Sequence, residues 1–361
     1  MGWRIAEELK VSPASTHLLI GGVGSGKTTE LLSARARLNE VRDTVALYID
    51  VSKGHDITRM VPGAVAVQVG LALGEWLQSV VPEDKKKLVA QDVKLLRNMA
   101  HDHWEEDPAA HEDGDNLVRV PGILVAPDRL EGSVRDTLEP IEGILDELRM
   151  QWKYAIVFLD GLDRMTDIAA LERIVDHDIK ALNGVGLGIV LVGPLRALYG
   201  IDLMVEQRFE RFHYQPWIDL ASSPRAEAFL MKILQKRMPG EAADQKGLEA
   251  MVRCSGGVLR DLLAIAQSAC VEAYIDGSDV IGQAHAEAAI DAFGRKHMQG
   301  LRPSDIAVLQ RVRAKGSIEH ASEDEIALLM TRRVLEYREG ARLRYSVHPT
   351  IERFLRERSE G

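Results

Sequence analysis

The sequence predicts an α/β fold, with a parallel sheet and helices on both of its faces, followed by an all-helical region and a small C-terminal domain. Short apolar runs that end in glycine or a carboxylate recur in the first part of the chain, and amphipathic segments of helical length separate them. Connections of that length join parallel strands. After Pro216 the strand signals stop, and only helical spacing continues until the character of the sequence changes again at Leu301.

The first region supplies the elements of the sheet. Its predicted strands are His17–Ile20, Thr44–Asp50, Tyr154–Leu159, Leu187–Val192 and Phe209–Tyr214. Its predicted helices are Thr28–Arg42, Val61–Val81, Leu130–Gln151 and Ala169–Leu182. Helices of this kind between parallel strands cover both faces of the sheet.

A chain of 361 residues exceeds what one hydrophobic core usually organises. We therefore predict three domains, at 1–218, 219–298 and 299–361, with an acidic insert at about 84–133 in the first. The net charge of −10 argues against a protein that coats nucleic acid. Because no apolar run has the length of a signal peptide or a membrane span, we expect a cytoplasmic protein without a membrane partner.

The insert is rich in acidic residues, and 101–115 contains no lysine or arginine. Three histidines also lie there, His101, His103 and His111. We interpret this stretch as a solvated surface segment, with metal binding by the histidines as the alternative.

Residues 21–28 fit the pattern G-x-x-x-x-G-K-S/T, directly after an apolar strand and directly before an amphipathic helix. Glycines in such a loop let successive N–H groups turn towards anionic oxygens, and the following helix directs its positive end to the same place. Lys27 would lie near the β- and γ-phosphates of ATP, and the Thr28 hydroxyl would ligate Mg²⁺. The predicted nucleotide-binding residues are Gly21, Gly22, Val23, Gly24, Ser25, Gly26, Lys27, Thr28 and Thr29.

The strand that begins at Tyr154 ends in a carboxylate, Asp160. Ligands of open α/β sheets gather at the carboxyl ends of the strands, so Asp160 is expected to hold Mg²⁺ beside Thr28. This is the Walker B pattern, and with the preceding loop it indicates the sheet of a P-loop NTPase. The alternative for Asp160 is an aspartate that only caps the next helix.

Residues 160–163 read Asp-Gly-Leu-Asp, which resembles the STAND branch of the AAA+/STAND ATPases. Most AAA+ proteins place a glutamate directly after the magnesium carboxylate, where this chain has Gly161. The resemblance implies that Asp163 orients the attacking water. A helix cap or an ion pair with Arg164 is the alternative role for Asp163.

Further arginines fit the same resemblance. Arg196, just beyond the fourth strand, matches the arginine that STAND proteins carry there, and Arg211 or Arg208 lies where AAA+ proteins offer an arginine finger to a neighbouring subunit. Residues 255–263 resemble a lid segment whose arginine, here Arg260, contacts the γ-phosphate. A cation is disfavoured at a helix N-terminus, so its placement suggests an external anion. The alternatives are an ordinary helix-surface arginine for Arg196 and a basic edge strand for Arg208 and Arg211.

The last region contains a capping box at Ser322–Glu325, strand patterns at Val334–Tyr337 and Leu343–Val347 around a turn at Gly340, and Pro349 at the start of a final helix. This order resembles a winged-helix-like domain. Over most of its length outside the insert, the chain therefore resembles a bacterial AAA+/STAND-type ATPase with a helical lid.

Two functions remain open at this stage. The resemblance implies a homo-oligomeric ATPase that uses ATP and Mg²⁺ as a switch of assembly or conformation, acts on a protein partner, and fits a role in bacterial defence or mobile-element biology. The alternative is a nucleotide-locked scaffold whose C-terminal domain holds DNA or a partner protein. Arginines of 301–361 are nearly balanced by acids, and Glu323–Glu325 would repel phosphates, so DNA is the weaker candidate.

Overall fold

The computed structural model describes residues 1–53, 57, 60, 62–101, 104–106, 117–119, 134–199, 205–222, 224–238, 242–318, 322–340 and 342–359. These residues form two compact units. The first comprises Met1–Ile20 and Lys27–Tyr214, and the second comprises Gly21–Gly26 and Gln215–Gly361. The three domain boundaries expected from the sequence stay a prediction. The side chains of His101, His103 and His111 lie outside the described part of the chain.

In the described part of the chain, seven strands precede residue 216: β1 (Thr16–Gly21), β2 (Thr44–Asp50), β3 (Trp104–Glu106), β4 (Leu117–Arg119), β5 (Tyr154–Asp160), β6 (Gly188–Gly193) and β7 (Arg211–Gln215). Five of them form one sheet in the order β2-β5-β6-β1-β7, while β3 and β4 pair antiparallel with each other. The β2–β5, β5–β6 and β6–β1 pairs are parallel. The predicted parallel α/β sheet is confirmed.

The register of the sheet brings the functional segments to one edge. Asp50 lies opposite Asp160 across β2 and β5, and Ile20 lies opposite Gly193 across β6 and β1. The carboxyl ends of these four neighbouring strands therefore meet, as the sequence analysis expects for a ligand-binding edge. Strands β1 and β6 are buried along their whole length, because helices cover both faces.

Helices of the first unit are α1 (Gly2–Val11), α2 (Lys27–Leu38), α3 (Ala64–Val80), α4 (Glu83–His101), α5 (Val134–Arg149), α6 (Ile168–Ile174) and α7 (Lys180–Gly184). A π-helical turn at Val175–Ile179 joins the last two. Sequence patterns predict neither α1 nor α4. Both are amphipathic: α1 buries Ile5 and Leu9, and α4 buries Val89 and Val93, each pair one helical turn apart. The predicted acidic insert thus begins as a packed helix.

The second unit is mainly helical, as predicted. Its elements are α8 (Pro224–Arg237), α9 (Gln245–Cys254), α10 (Leu259–Ile275), α11 (Gln283–Met298), α12 (Pro303–Lys315), α13 (Glu323–Met330), β8 (Val334–Glu339), β9 (Arg342–Val347) and α14 (Pro349–Ser359). The Ser322 side chain accepts a hydrogen bond from the Glu325 amide, which confirms the capping box. Gly340 turns the β8–β9 hairpin with φ 58°. The winged-helix character of these last elements stays a prediction.

Within the residues that the structure describes, no helix has both the length and the apolar character needed to cross a bilayer.

Candidate functional site

Asp160 and Thr28 meet at the carboxyl edge of the sheet. Thr28 Oγ1 donates a hydrogen bond of 2.6 Å to Asp160 Oδ2, although the two residues are 132 positions apart. Asp160 is only 6% exposed, whereas Thr28 is exposed. One buried carboxylate oxygen and one accessible hydroxyl therefore lie side by side, which is a donor pair that suits Mg²⁺.

Tyr48 also contacts this carboxylate, and the sequence analysis does not identify it. Its hydroxyl donates to Asp160 Oδ2 at 2.8 Å, while the Gly161 amide donates to Oδ1 at 2.8 Å. Burial and the hydrogen bond to Asp160 raise the pKa of Tyr48, so the phenol stays protonated and remains a donor. Both oxygens of Asp160 are thus held in a fixed orientation. Because Tyr48 lies on β2 and Asp160 on β5, only the pairing of these two strands reveals that the side chains are close together.

Lys27 forms an ion pair with Asp163. Its Nζ lies 3.0 Å from Asp163 Oδ2, and the two side chains are 4% and 15% exposed. Asp163 belongs to a short 3-10 turn, Leu162–Arg164, that directly follows β5. A buried ammonium requires a counter-charge, and Asp163 supplies it here. The structure therefore pairs Asp163 with the lysine of the loop and not with Arg164, the alternative partner.

Gly161 explains why the second carboxylate stands two residues further along the chain. Its φ is 99°, a conformation that other residues rarely adopt. A Cβ atom at this position would also lie 2.8 Å from Asp50 Oδ1 and 2.9 Å from Ser52 Cβ. The backbone and its neighbours thus leave no room for a glutamate directly after Asp160.

The loop Gly21–Gly26 is contacted by residues that are distant in the sequence but belong to the same compact unit. Gly24 and Gly26 have φ of 83° and 98°. Trp217 Nε1 donates to the Val23 carbonyl at 3.1 Å, and a Cβ on Gly22 would lie 1.9 Å from the Trp217 ring. The sequence analysis does not identify Trp217, because nothing in its local pattern indicates this contact.

Arg260 lies in the first turn of α10, beside the same loop. The Leu259 amide donates to the Gly24 carbonyl at 3.2 Å, and a Cβ on Gly24 would lie 2.9 Å from Arg260 Cβ. Arg260 itself is exposed. The structure therefore places the start of α10 against the glycine loop, where a phosphate-contacting arginine was expected.

Arg196 and Arg208, two further arginines predicted from the sequence, lie in different local structures. Arg196 lies in a 3-10 turn, Leu195–Leu198, just after β6, which is the strand between β5 and β1. Arg208 is held by ion pairs of 3.0 Å to both Glu172 and Asp176.

Two further predicted residues are exposed. Arg211, at the start of β7, makes no ion pair with a residue that the structure describes. Thr29 lies in the first turn of α2.

Comparison with known proteins identifies a fold but not a family. No family model and no curated protein matches the sequence. The structure is similar to that of the Aeropyrum pernix ORC2 protein in its ADPNP and ADP complexes, with a TM-score of 0.52 and 13% identity over 99% of this chain and 93% of that chain. It also matches Cdc6p from Pyrobaculum aerophilum over 95% of this chain and 88% of that one, with 13% identity and a TM-score of 0.42.

A further match is the RuvB Holliday junction branch migration motor from Thermotoga maritima, over 98% of this chain and 93% of that one, with 11% identity and a TM-score of 0.42. The likeness to the Aeropyrum pernix protein covers nearly the whole of both chains. The chain therefore shares the fold of the Aeropyrum pernix ORC2 protein, and its own structure has a five-stranded parallel sheet with flanking helices followed by a helical C-terminal region.

Proposed function

We propose that the protein binds ATP with Mg²⁺ and hydrolyses it, as an AAA+/STAND-type switch whose assembly or conformation depends on the bound nucleotide. The observation that carries this proposal is the 2.6 Å contact between Thr28 Oγ1 and Asp160 Oδ2. It joins the residue that follows the loop lysine to the carboxylate at the end of β5. This is the pair that would hold Mg²⁺ against a triphosphate.

The residues at this edge fit the binding of a polyphosphate. The amides of the glycine loop and the N-terminus of α2 favour anionic oxygens. Lys27 would neutralise the β- and γ-phosphates, and Thr28 with Asp160 would hold Mg²⁺, which offsets charge on the same oxygens. Tyr48 keeps the Asp160 carboxylate oriented for that role.

Asp163 gains a catalytic role through an exchange of partners. Asp163 Oδ2 is paired with Lys27 Nζ at 3.0 Å. A γ-phosphate would compete for the ammonium and release the carboxylate close to the terminal phosphorus. Asp163 then orients the water that attacks the γ-phosphorus, while the bond from that phosphorus to the β–γ bridging oxygen breaks.

The proposal also includes roles for arginines of the helical lid and of the contact between subunits. The position of Arg260 against Gly24 supports contact with the γ-phosphate, through which the nucleotide state would reach the helical region. Arg196 would act at the same edge from the end of β6, and Arg211 would reach the site of a second copy in a homo-oligomer. A role in defence or mobile-element biology remains part of this proposal.

The test is steady-state hydrolysis of ATP with Mg²⁺. Asp163→Asn should lower kcat by at least about 100-fold because it removes the carboxylate that orients water, while ATP binding is retained because the phosphates supply the counter-charge of Lys27. The matched control is Asp146→Asn, which removes an exposed carboxylate on α5 and should leave turnover unchanged. Unaltered turnover in the Asp163 variant would refute the catalytic role.

One observation favours the second function, a nucleotide-locked scaffold with little turnover. Gly161 closes the position that a catalytic glutamate would take. Such a scaffold would bind ATP tightly without steady release of phosphate, and its C-terminal region would hold the partner. Many arginines there already pair with carboxylates of the chain, such as Arg311 with Glu325 and Arg344 with Asp219, which favours a protein partner over DNA. Salt-sensitive retention on DNA would reverse that preference.

A further inference from the structure

Two buried histidines and a glutamate converge where α1 packs against the sheet, in the first compact unit. His17 is fully buried on β1, and His213 on β7 is 4% exposed. His17 Nδ1 lies 2.9 Å from His213 Nε2, and Glu8 Oε2 lies 3.4 Å from His213 Nε2 and 3.8 Å from His17 Nδ1. Neither the sequence motifs nor the proposed ATPase chemistry uses these three side chains.

The hydrogen bonds around His17 define which of its ring nitrogens is free to accept. Ser15 Oγ donates its only proton to the Ser12 carbonyl at 2.6 Å. It must therefore accept the hydrogen bond of 2.8 Å from His17 Nε2, which carries the proton. With the proton on Nε2, the neutral ring carries a lone pair on Nδ1. That lone pair is directed at His213 and Glu8.

The Glu8 carboxylate is oriented by a hydrogen bond to Oε1, the oxygen that does not face the histidines. Arg4 Nε donates to Glu8 Oε1 at 2.9 Å, which fixes the carboxylate on α1. Oε2 is buried and has no hydrogen-bond donor among the described residues. The cluster thus contains one carboxylate oxygen and two imidazole nitrogens. The two nitrogens share one proton in their hydrogen bond, and the carboxylate oxygen receives no hydrogen bond from the part of the chain that the structure describes.

We propose that Glu8, His17 and His213 bind a divalent transition-metal ion, Zn²⁺ by preference. Zn²⁺ binds imidazole nitrogen and carboxylate oxygen at about 2.0–2.2 Å in tetrahedral geometry, which places ligand atoms about 3.3–3.5 Å apart. The three separations of 2.9, 3.4 and 3.8 Å bracket that value. Sub-ångström adjustments of the side chains suffice to close the site, and Ser15 and Arg4 hold two of the ligands from outside, as metal sites require.

The donor set decides between classes of cation. Two imidazoles and one carboxylate suit Zn²⁺ and neighbouring transition metals, whereas Mg²⁺ and Ca²⁺ prefer oxygen ligands only. The site therefore differs in chemistry from the Thr28–Asp160 pair. A metal here would tie α1 to β1 and β7, so its main effect would be on the stability of the first unit.

The experiment measures binding of Zn²⁺ alone to the full chain in excess Mg²⁺, by calorimetry after chelator treatment. Glu8→Gln keeps the shape of the side chain and should weaken the tight Zn²⁺ equivalent by at least about 10–100-fold. His213→Gln should do the same. His285, which is part-exposed and pairs with exposed Asp276, provides the matched control, and His285→Gln should retain the full equivalent.

Two readouts separate this site from other donors such as the cysteines and the histidines of the insert. Co²⁺ in place of Zn²⁺ should give the visible bands of a tetrahedral site, which both variants lose and the control keeps. Zn²⁺ should also raise the Tm of the wild-type chain but not that of Glu8→Gln. If the His213 variant does not fold, Glu8→Gln carries the test, because Glu8 is part-exposed. Equal Zn²⁺ affinity and equal Co²⁺ bands in wild type and Glu8→Gln would overturn the proposal, as would the lack of any tight equivalent in wild type.

Discussion

At the scale of single residues, Gly161 fixes the spacing of the two carboxylates after β5. Its positive φ and its contact with Asp50 and Ser52 leave space for glycine only. Asp163, two positions beyond Gly161, forms the ion pair with Lys27. The spacing of the two carboxylates therefore follows from a local backbone conformation.

We predict that Gly161→Ala lowers the free energy of unfolding by about 1–3 kcal/mol, because it adds backbone strain and a close contact. Gly277→Ala is the matched control, since Gly277 has φ 70° but open space around its Cβ position. It carries the backbone strain without the contact. Urea denaturation compares the two variants, and a smaller loss for Gly161→Ala than for Gly277→Ala would contradict this explanation.

His297 gives the stability of the second unit a dependence on pH. Burial lowers its pKa to about 4, and nearby His348, Arg332 and Arg333 add to this effect while Asp261 opposes it. In the unfolded chain the pKa is about 6.5, so between these values the unfolded state binds a proton that the folded state does not. Stability is therefore lost as pH falls from about 6.5 towards 4.

Thermal unfolding between pH 7 and pH 4 tests this prediction. His297→Phe removes the titrating ring and keeps an aromatic side chain in contact with Phe293 and His348. The variant should lose less Tm than wild type over this interval. An identical decline in both proteins would show that His297 does not contribute.

Residues of the site differ in how far the sequence indicates them. Lys27, Thr28 and Asp160 belong to local patterns whose chemistry requires those residue types. Tyr48 and Trp217 reach the site through strand pairing and through the return of the chain after β7. Such contacts depend on tertiary structure, so no local pattern in the sequence indicates them.

At the scale of elements, the start of α10 connects the glycine loop to the C-terminal elements. Arg260 lies beside Gly24, while the next residue, Asp261, is buried and paired with Arg332 at 2.9 Å. His348, just before α14, lies 3.5 Å from the same carboxylate. One turn of helix therefore contacts the loop with one residue and the C-terminal region with the next.

Arg332→Ala should destabilise the protein by about 3–5 kcal/mol, because it leaves the buried Asp261 carboxylate without its guanidinium partner. Arg302→Ala is the control: it also removes an arginine paired with carboxylates, but at an exposed position, and should have little effect. Unfolding by urea measures both. Similar losses in the two variants would show that Asp261 does not depend on Arg332.

Elements follow the sequence patterns closely where one face is apolar over several turns. All five sheet strands were predicted within a few residues. Helices α1 and α4 were missed because charged residues outnumber the few apolar positions that they bury. The π-helical turn at Val175–Ile179 interrupts a helix that the periodicity predicts as continuous.

At the scale of the whole molecule, the proposed switch predicts that assembly depends on the nucleotide. Mass measurement in solution should give a larger species with a non-hydrolysable ATP analogue than with ADP, because the γ-phosphate engages Arg260 and the arginine of a neighbour. Arg211→Ala should reduce that difference. The same mass in both nucleotide states would contradict the switch but leave nucleotide binding intact.

The most direct test of the account is calorimetry of Mg²⁺–ATP binding to the wild-type chain and to Lys27→Ala, with Lys180→Ala as the control for an exposed lysine in an ion pair. We expect wild type and the control to bind with the same affinity and Lys27→Ala to lose tight binding, because the buried ammonium at the end of the glycine loop is the main charge that meets the phosphates. Unchanged affinity in Lys27→Ala would contradict the assignment of this edge of the sheet as the nucleotide site.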